Sequence, residues 1–353
     1  MNLATLTPAD AASAAIANAH DRIGYELGWD YAHHGLALPA PYAAEPSSLG
    51  SGLAAGQAAF GARTLAATPH VRRWLQLRLH AWLRGRSVET FQVTPHYLRQ
   101  IDATHCPITR AALGDGTGGD AASIDRVRND AGYAAGNLVV MSRRANHAKA
   151  ANGHAAAWAI AHGDLPDAAG LGPAAWRRIA LLCSFVEPLS HAQACALPLH
   201  LLPPNRLRLF NPAQALQAML SRQLLQPGWS RRIACFEELL PGSVAQRDFR
   251  HFFFGLLPRV LEGARLGDTL QARWAIEDAW ASERVQQLWI AFAEPLGVAR
   301  IETLLAQAAR HGLATIGLEA MTASRATDGW DLETRGYIAP SATAASAQAA
   351  FAF

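Results

Sequence analysis

The sequence predicts an α+β protein dominated by helices, with one ββα module embedded between helical regions. Three observations carry this. Half of the 353 residues are hydrophobic and much of that fraction is Ala, the best helix former. Helix starts marked by Thr-Pro recur at Thr7-Pro8, Thr68-Pro69 and Thr94-Pro95. Two β-rich runs, Ser123–Val127 and Asn137–Met141, are followed directly by a helix-capping serine, Ser142.

In chain order, the first helix is expected from its cap at Thr7 to about His34, where Gly35 stops it. The stretch from Pro39 to Gly52 is rich in Pro, Ala, Ser and Gly and reads as a loop. A second helix starts at Thr68-Pro69, with Trp74, Leu75, Leu79 and Trp82 packing while Arg72, Arg73, Arg78, Arg84 and Arg86 decorate its other sides. A short helix runs from His96 to about Ala103. Gly114–Asp120 reads as a flexible insertion, since no strand precedes it as a phosphate cradle would require. The helix opening at Arg143 is expected to continue to His162. Beyond Gly163–Gly172, helices are expected at Ala174–Glu187, Pro212–Leu224, Ser230–Leu240, Val244–Ala264, Thr269–Glu294 and Ala299–His311, the fourth kinked or split at Pro258. Ser190 and Asn211 read as caps. Trp176, Trp229, Trp274, Trp280 and Trp289 read as core. The resulting organisation is a helical N-terminal region (1–104), the ββα module (105–162), a helical C-terminal domain (173–340) and a flexible Ala/Ser-rich tail (341–353).

Charge gives a local signal. The net charge of +3 is too small to argue for nucleic acid by itself, but from Arg63 to Arg110 eight Arg face only Glu89 and Asp102. Such a surplus is what phosphate binding needs, and equally what a solvated helix face carries. Glu26, Asp30, His33 and His34 lie at spacings that put three or four of them on one helix face, either as half of a carboxylate–histidine metal site or as a polar helix end. Cys106, Cys183, Cys195 and Cys235 have no CxxC spacing, so no structural zinc is expected, and free thiols fit a reducing cytoplasm. No signal peptide is read at the start of the chain and no stretch reaches 18 apolar residues, so no membrane span is expected. Oligomeric state is not legible.

Lys149 is the only lysine in the chain; every other cation of this kind is Arg. In a chain that prefers Arg so strongly, a retained Lys points to a role that a guanidinium cannot fill. It closes a segment containing Ile124-Asp125-Arg126, Gly132-Tyr133, Gly136-Asn137-Leu138, Ser142, Asn146 and Lys149. In that order and spacing the segment resembles the HNH, or His-Me finger, nucleases, in the phage-type variant, over roughly 45 residues.

The resemblance implies a metal-dependent endonuclease acting on DNA or another nucleic acid. Asp125 and Asn146 would ligate one divalent ion, of which Mg²⁺ is the expected one, and Asn137 would brace the connection between the strands. Arg126, Arg143, Arg144 and Lys149 would meet phosphate. Arg126 stands where that family places its general-base His, and an Arg does not accept a proton. Either another group supplies the base, with His105, His147 or Asp120 in sequence reach, or the module binds nucleic acid without cutting it. A third alternative makes the hairpin purely structural, within a helical protein-interaction protein; Asp125 would then be an acid paired for hairpin register.

Overall fold

The computed structural model describes residues 8–43, 46–264, 268–314 and 317–338. The cap expected at Thr7 and the tail from Ser341 to Phe353 lie outside them. The chain is mostly helical with small sheets. Its elements are α1 (Pro8–His33), α2 (Ala40–Ala43), α3 (Ser48–Phe60), α4 (Pro69–Leu83), α5 (Pro95–Ile101), β1 (Ala122–Arg126), β2 (Leu138–Ser142) and α6 (Arg143–Lys149). Then come α7 (His154–His162), α8 (Pro173–Ser184), α9 (His191–Ala196), β3 (Arg208–Leu209), α10 (Pro212–Leu224), α11 (Trp229–Glu238), α12 (Gly242–Ala264) and α13 (Thr269–Ala279). The last are α14 (Glu283–Ala293), α15 (Gly297–Arg310), β4 (Glu319–Ala320) and α16 (Ala323–Ala326). None of the described helices is long and apolar enough to cross a membrane.

The described residues form two compact units, one drawn from Met1–Asp102, Asn129–Ala135 and Gly329–Phe353, the other from Ala103–Arg128 and Gly136–Asp328. In the first, α1, α3 and α4 close on Leu27, Tyr31, Leu49, Leu75 and Leu79. The loop expected from Pro39 to Gly52 is corrected: its end is the start of α3. Two glycine pairs spaced four apart make that helix possible, Gly24 and Gly28 on α1, and Gly52 and Gly56 on α3. A Cβ on Gly28 would lie 1.9 Å from Leu49 O, and one on Gly52 would lie 1.9 Å from Tyr25 O. The two backbones therefore touch directly, and packing overrides the poor helix propensity of glycine. Elsewhere in this unit the fully buried Trp330 donates its indole N–H to Ala135 O at 3.0 Å, and its own carbonyl accepts Gly132 N–H at 2.8 Å.

The second unit holds the β1–β2 hairpin, antiparallel with Ala122 opposite Ser142 and Arg126 opposite Leu138. It also holds a minimal parallel pair, β3–β4, that pattern reading misses because each strand has only two residues. The helix expected from Arg143 to His162 is two helices, because Ala150 takes φ +45 and Gly153 precedes α7. The helix expected over Thr269–Glu294 is also two. On one continuous helix Trp280 and Trp289, nine residues apart, would point about 180° from each other. The turn after α13 instead brings both buried indoles together, edge to face at 5.4 Å, beside Phe252 and Phe292. Trp176 is buried as expected, while Trp229 and Trp274 are only half-buried. Pro258 lies inside α12, which is one continuous element.

α10 runs through the interior with polar side chains that tie down its surroundings. Gln217 donates to Leu197 O at 3.0 Å, Gln223 to Leu313 O at 2.7 Å, and Ser221 accepts the Trp280 indole N–H at 2.9 Å. Asn211 precedes this helix without capping it by side chain; its amide instead accepts Leu189 N–H and donates to Ser184 O. Ser190 forms a full capping box with Gln193 at the start of α9.

Candidate nucleic-acid interface

Side chains alternate along a strand, so Ser123 and Asp125 share one face of β1 and Arg126 takes the other. Residues three apart share a helix face, so α6 presents Asn146 and Lys149 together. Ser142 starts that helix by accepting Ala145 N–H at 3.2 Å. Helix and strand then meet in two rungs. Asn146 Nδ2 donates to Ser123 Oγ at 2.8 Å, and Lys149 Nζ lies 3.0 Å from Asp125 Oδ2 while donating to Arg126 O at 3.0 Å.

The second rung is buried: Lys149 is 0 % exposed and Asp125 6 %. Burial pushes the Asp125 carboxyl up from its ordinary range, and Lys149 and then Arg126 pull it back without cancelling that effect. Asp125 Oδ2 accepts no well-angled hydrogen bond, so the 3.0 Å contact is charge pairing, and the directed bond of the ammonium goes to Arg126 O. Cys183, fully buried, lies close by with its thiol toward Val127 O and Asn152 O, and burial pushes it up to about 12.

Two expectations meet structural constraints here. Lys149 is fully buried, and its ammonium faces Asp125 and Arg126 O rather than solvent. Asp125 and Asn146 share a side of the module, yet they do not fit a divalent ion as they stand. The carboxylate already holds a cation at 3.0 Å, and Asn146, whose amide nitrogen donates to Ser123 Oγ, brings no charge to balance a second one. A second cation beside Asp125 would face the Lys149 ammonium at contact range, where like charges repel strongly in a buried site. Among the described residues no group of three or more His, Cys, Asp or Glu is arranged to hold a metal. Of the proposed half-site on α1, Asp30 is ion-paired with the buried Arg78, and His33 stacks on Phe60 at 4.3 Å.

Asn137 is fully buried and holds Arg128 at both main-chain groups, accepting its N–H at 2.8 Å and donating to its carbonyl at 3.1 Å. Neither candidate imidazole joins Asp125 or Asn146. His105 bonds Thr104 Oγ1 at 3.1 Å and meets the edge of Trp274, and His147 is exposed on α6. Asp120 is exposed too, and its carbonyl accepts Gly114 N–H, closing the glycine-rich stretch into a loop. Gly119 O and Ala121 O accept the main-chain N–H groups of Arg144 and Arg143, so the start of α6 is satisfied from within.

Arg143 and Arg144 are exposed at that start, and Arg126 and Arg128 are half-exposed. The basic stretch from Arg63 to Arg110 is less available than its composition implies. Arg78 pairs with Asp30, Arg73 with Asp102, and Arg110 with Glu277 and Asp278, while Arg86 stacks on Tyr337 at 3.6 Å. Three of these acids lie outside the stretch, which is why counting within it overstates the surplus. Sequence reading also misses Ser123, whose position two residues before Asp125 is its only signal, and Cys183. A pocket of the second unit, about 470 Å³ and lined by Phe210, Met219, Leu305 and Met321, contains none of the expected site residues.

No family model, curated protein or solved structure matches the chain.

Proposed function

We propose that the chain is a nucleic-acid-binding protein built on an HNH-related ββα scaffold, without phosphodiester cleavage. The observation that carries the reading is the buried contact of 3.0 Å between Lys149 Nζ and Asp125 Oδ2. It spends the one acid of the motif on an internal cation. Arg126 at the position of the base removes the second requirement for hydrolysis, since a guanidinium does not take a proton from water. The order of Asp125, Asn137, Ser142, Asn146 and Lys149 supports kinship with the scaffold, and their contacts give each a structural task.

Binding would run through Arg143 and Arg144, with Arg126 and Arg128 contributing from the hairpin. Their planar forks suit phosphate oxygens, and each phosphate neutralised releases counterions, which makes affinity salt-dependent. No base-reading group is assigned, so the expected binding is to the backbone and largely independent of sequence.

The deciding experiment pairs two measurements on the purified protein. Anisotropy of a labelled duplex should report binding at low salt that weakens steeply as salt rises. Supercoiled plasmid should stay intact with Mg²⁺, Mn²⁺ or EDTA. Metal-dependent nicking would overturn the non-cleaving reading, and absence of binding at low salt would leave a helical interaction protein.

A further inference from the structure

We infer that the Lys149 ammonium is a resident cation, fixed beside Asp125 where a divalent ion would otherwise sit. The hairpin and α6 then hold together without metal, and the position becomes a metal site only when the ammonium is removed. The inference deepens the HNH-related reading of the module and does not depend on nucleic-acid binding.

The groups around Nζ are those a hard cation takes. Asp125 Oδ2 lies at 3.0 Å and Arg126 O at 3.0 Å, and one turn back along α6 the Asn146 amide meets the Ser123 hydroxyl of β1 at 2.8 Å. All offer oxygen, the donor that Mg²⁺ and Mn²⁺ prefer. Asp125 Oδ2 is a buried oxygen with no well-directed hydrogen bond, so its stabilisation comes from the neighbouring charge. The residue type fits the task. A compact ammonium on an unbranched stem enters a closed space that a planar, five-donor guanidinium does not. In a chain with 31 Lys and Arg residues, this is the one place where Lys is used. An internal cation also costs no ion-binding equilibrium, so the module does not depend on metal concentration.

The test is thermal melting of the full chain, followed by circular dichroism without nucleic acid, in EDTA, Mg²⁺ or Mn²⁺. Wild-type curves should superimpose in all three; a midpoint raised by Mn²⁺ or lowered by EDTA overturns the inference. Lys149→Ala leaves a buried carboxylate without its partner and should lower the midpoint by on the order of 10 °C. Mn²⁺ should recover part of that loss in a saturable way, because an ion that binds only the folded state stabilises it. Adding Asp125→Asn should abolish the recovery. A Lys149→Ala protein that melts like wild type, or that does not respond to Mn²⁺ or Mg²⁺, overturns the inference. Should Lys149→Ala fail to fold, Asp125→Leu with Lys149→Met replaces the pair by apolar side chains. A folded, metal-insensitive double variant supports the inference. One as unfolded as Lys149→Ala overturns it, since removing both charges together would then not relieve the defect of the unpaired carboxylate. DNA affinity, measured separately, bears on the binding reading alone.

Discussion

Asn137 grips Arg128 at both of its main-chain groups, its amide oxygen accepting the N–H at 2.8 Å and its amide N–H donating to the carbonyl at 3.1 Å. The two residues flank the segment that joins β1 to β2, so this clasp sets where the hairpin closes. Because Asn137 is fully buried, no water replaces what its side chain supplies. Asn137→Ala should cost about 2–4 kcal/mol, two lost bonds plus desolvated groups left without partners. Urea denaturation checks it, and a loss below about 1 kcal/mol would mean the clasp is dispensable.

A second prediction turns on sign. Propensity alone says that Gly28→Ala or Gly52→Ala should stabilise α1 and α3 by about 1 kcal/mol each. The contact geometry says the opposite. A Cβ at either position would meet a carbonyl oxygen at 1.9 Å, and the helices would have to separate along their length. Each substitution should therefore destabilise the N-terminal unit by about 3 kcal/mol or more. A gain in denaturation midpoint for either would refute the backbone-to-backbone packing of these helices.

Acid should weaken the protein partly through His200. Burial, then the Arg177 and Arg178 charges, push its imidazole down to about 4, with Asp278 opposing and Arg110 adding to the effect. Unfolded, the same ring titrates near 6.5 and binds a proton that the folded state refuses. The unfolded state therefore gains protons first as pH falls, and stability present above pH about 6.5 is lost progressively down to about 4. The loss amounts to on the order of 3 kcal/mol, by the conversion of a pKa difference to free energy. His200→Gln should flatten the midpoint-versus-pH curve across that window. An unchanged slope would assign the acid sensitivity elsewhere.

Where local chemistry decides, the chain was readable. Thr68, Thr94 and Ser142 cap their helices because a hydroxyl reaches a main-chain N–H three residues on, whatever the rest of the fold does. The hairpin was readable for the same reason, its strands lying within one residue of the expected bounds. What failed depends on distant partners. α3 exists because α1 offers glycines to it, and the break after α13 exists because two indoles seek one core. Arg78 reads as available in its own stretch, and the acid that pairs with it, Asp30, lies 48 residues away. Lys149 shows the limit most clearly. Its uniqueness singles it out in the sequence, but burial is a property of the packed unit, and the fold sets its ammonium against Asp125 and Arg126 O.

That distinction gives the last prediction its form. A cation that touches phosphate contributes to the salt dependence of binding, and a buried one does not. Arg143→Ala and Arg144→Ala should each weaken duplex binding and reduce the log K versus log salt slope by about 0.9, one phosphate contact apiece. Both residues are exposed, so their removal should leave the melting midpoint nearly unchanged. Lys149→Met should behave in the opposite way, lowering the midpoint while the folded protein keeps the wild-type slope. The two readouts separate the roles, because a fold defect lowers the active fraction without altering how many counterions each bound molecule releases. Should Lys149→Met reduce the slope by the amount expected of one phosphate contact, its ammonium would have to reach the nucleic acid. The buried pair with Asp125 would then have to open on binding.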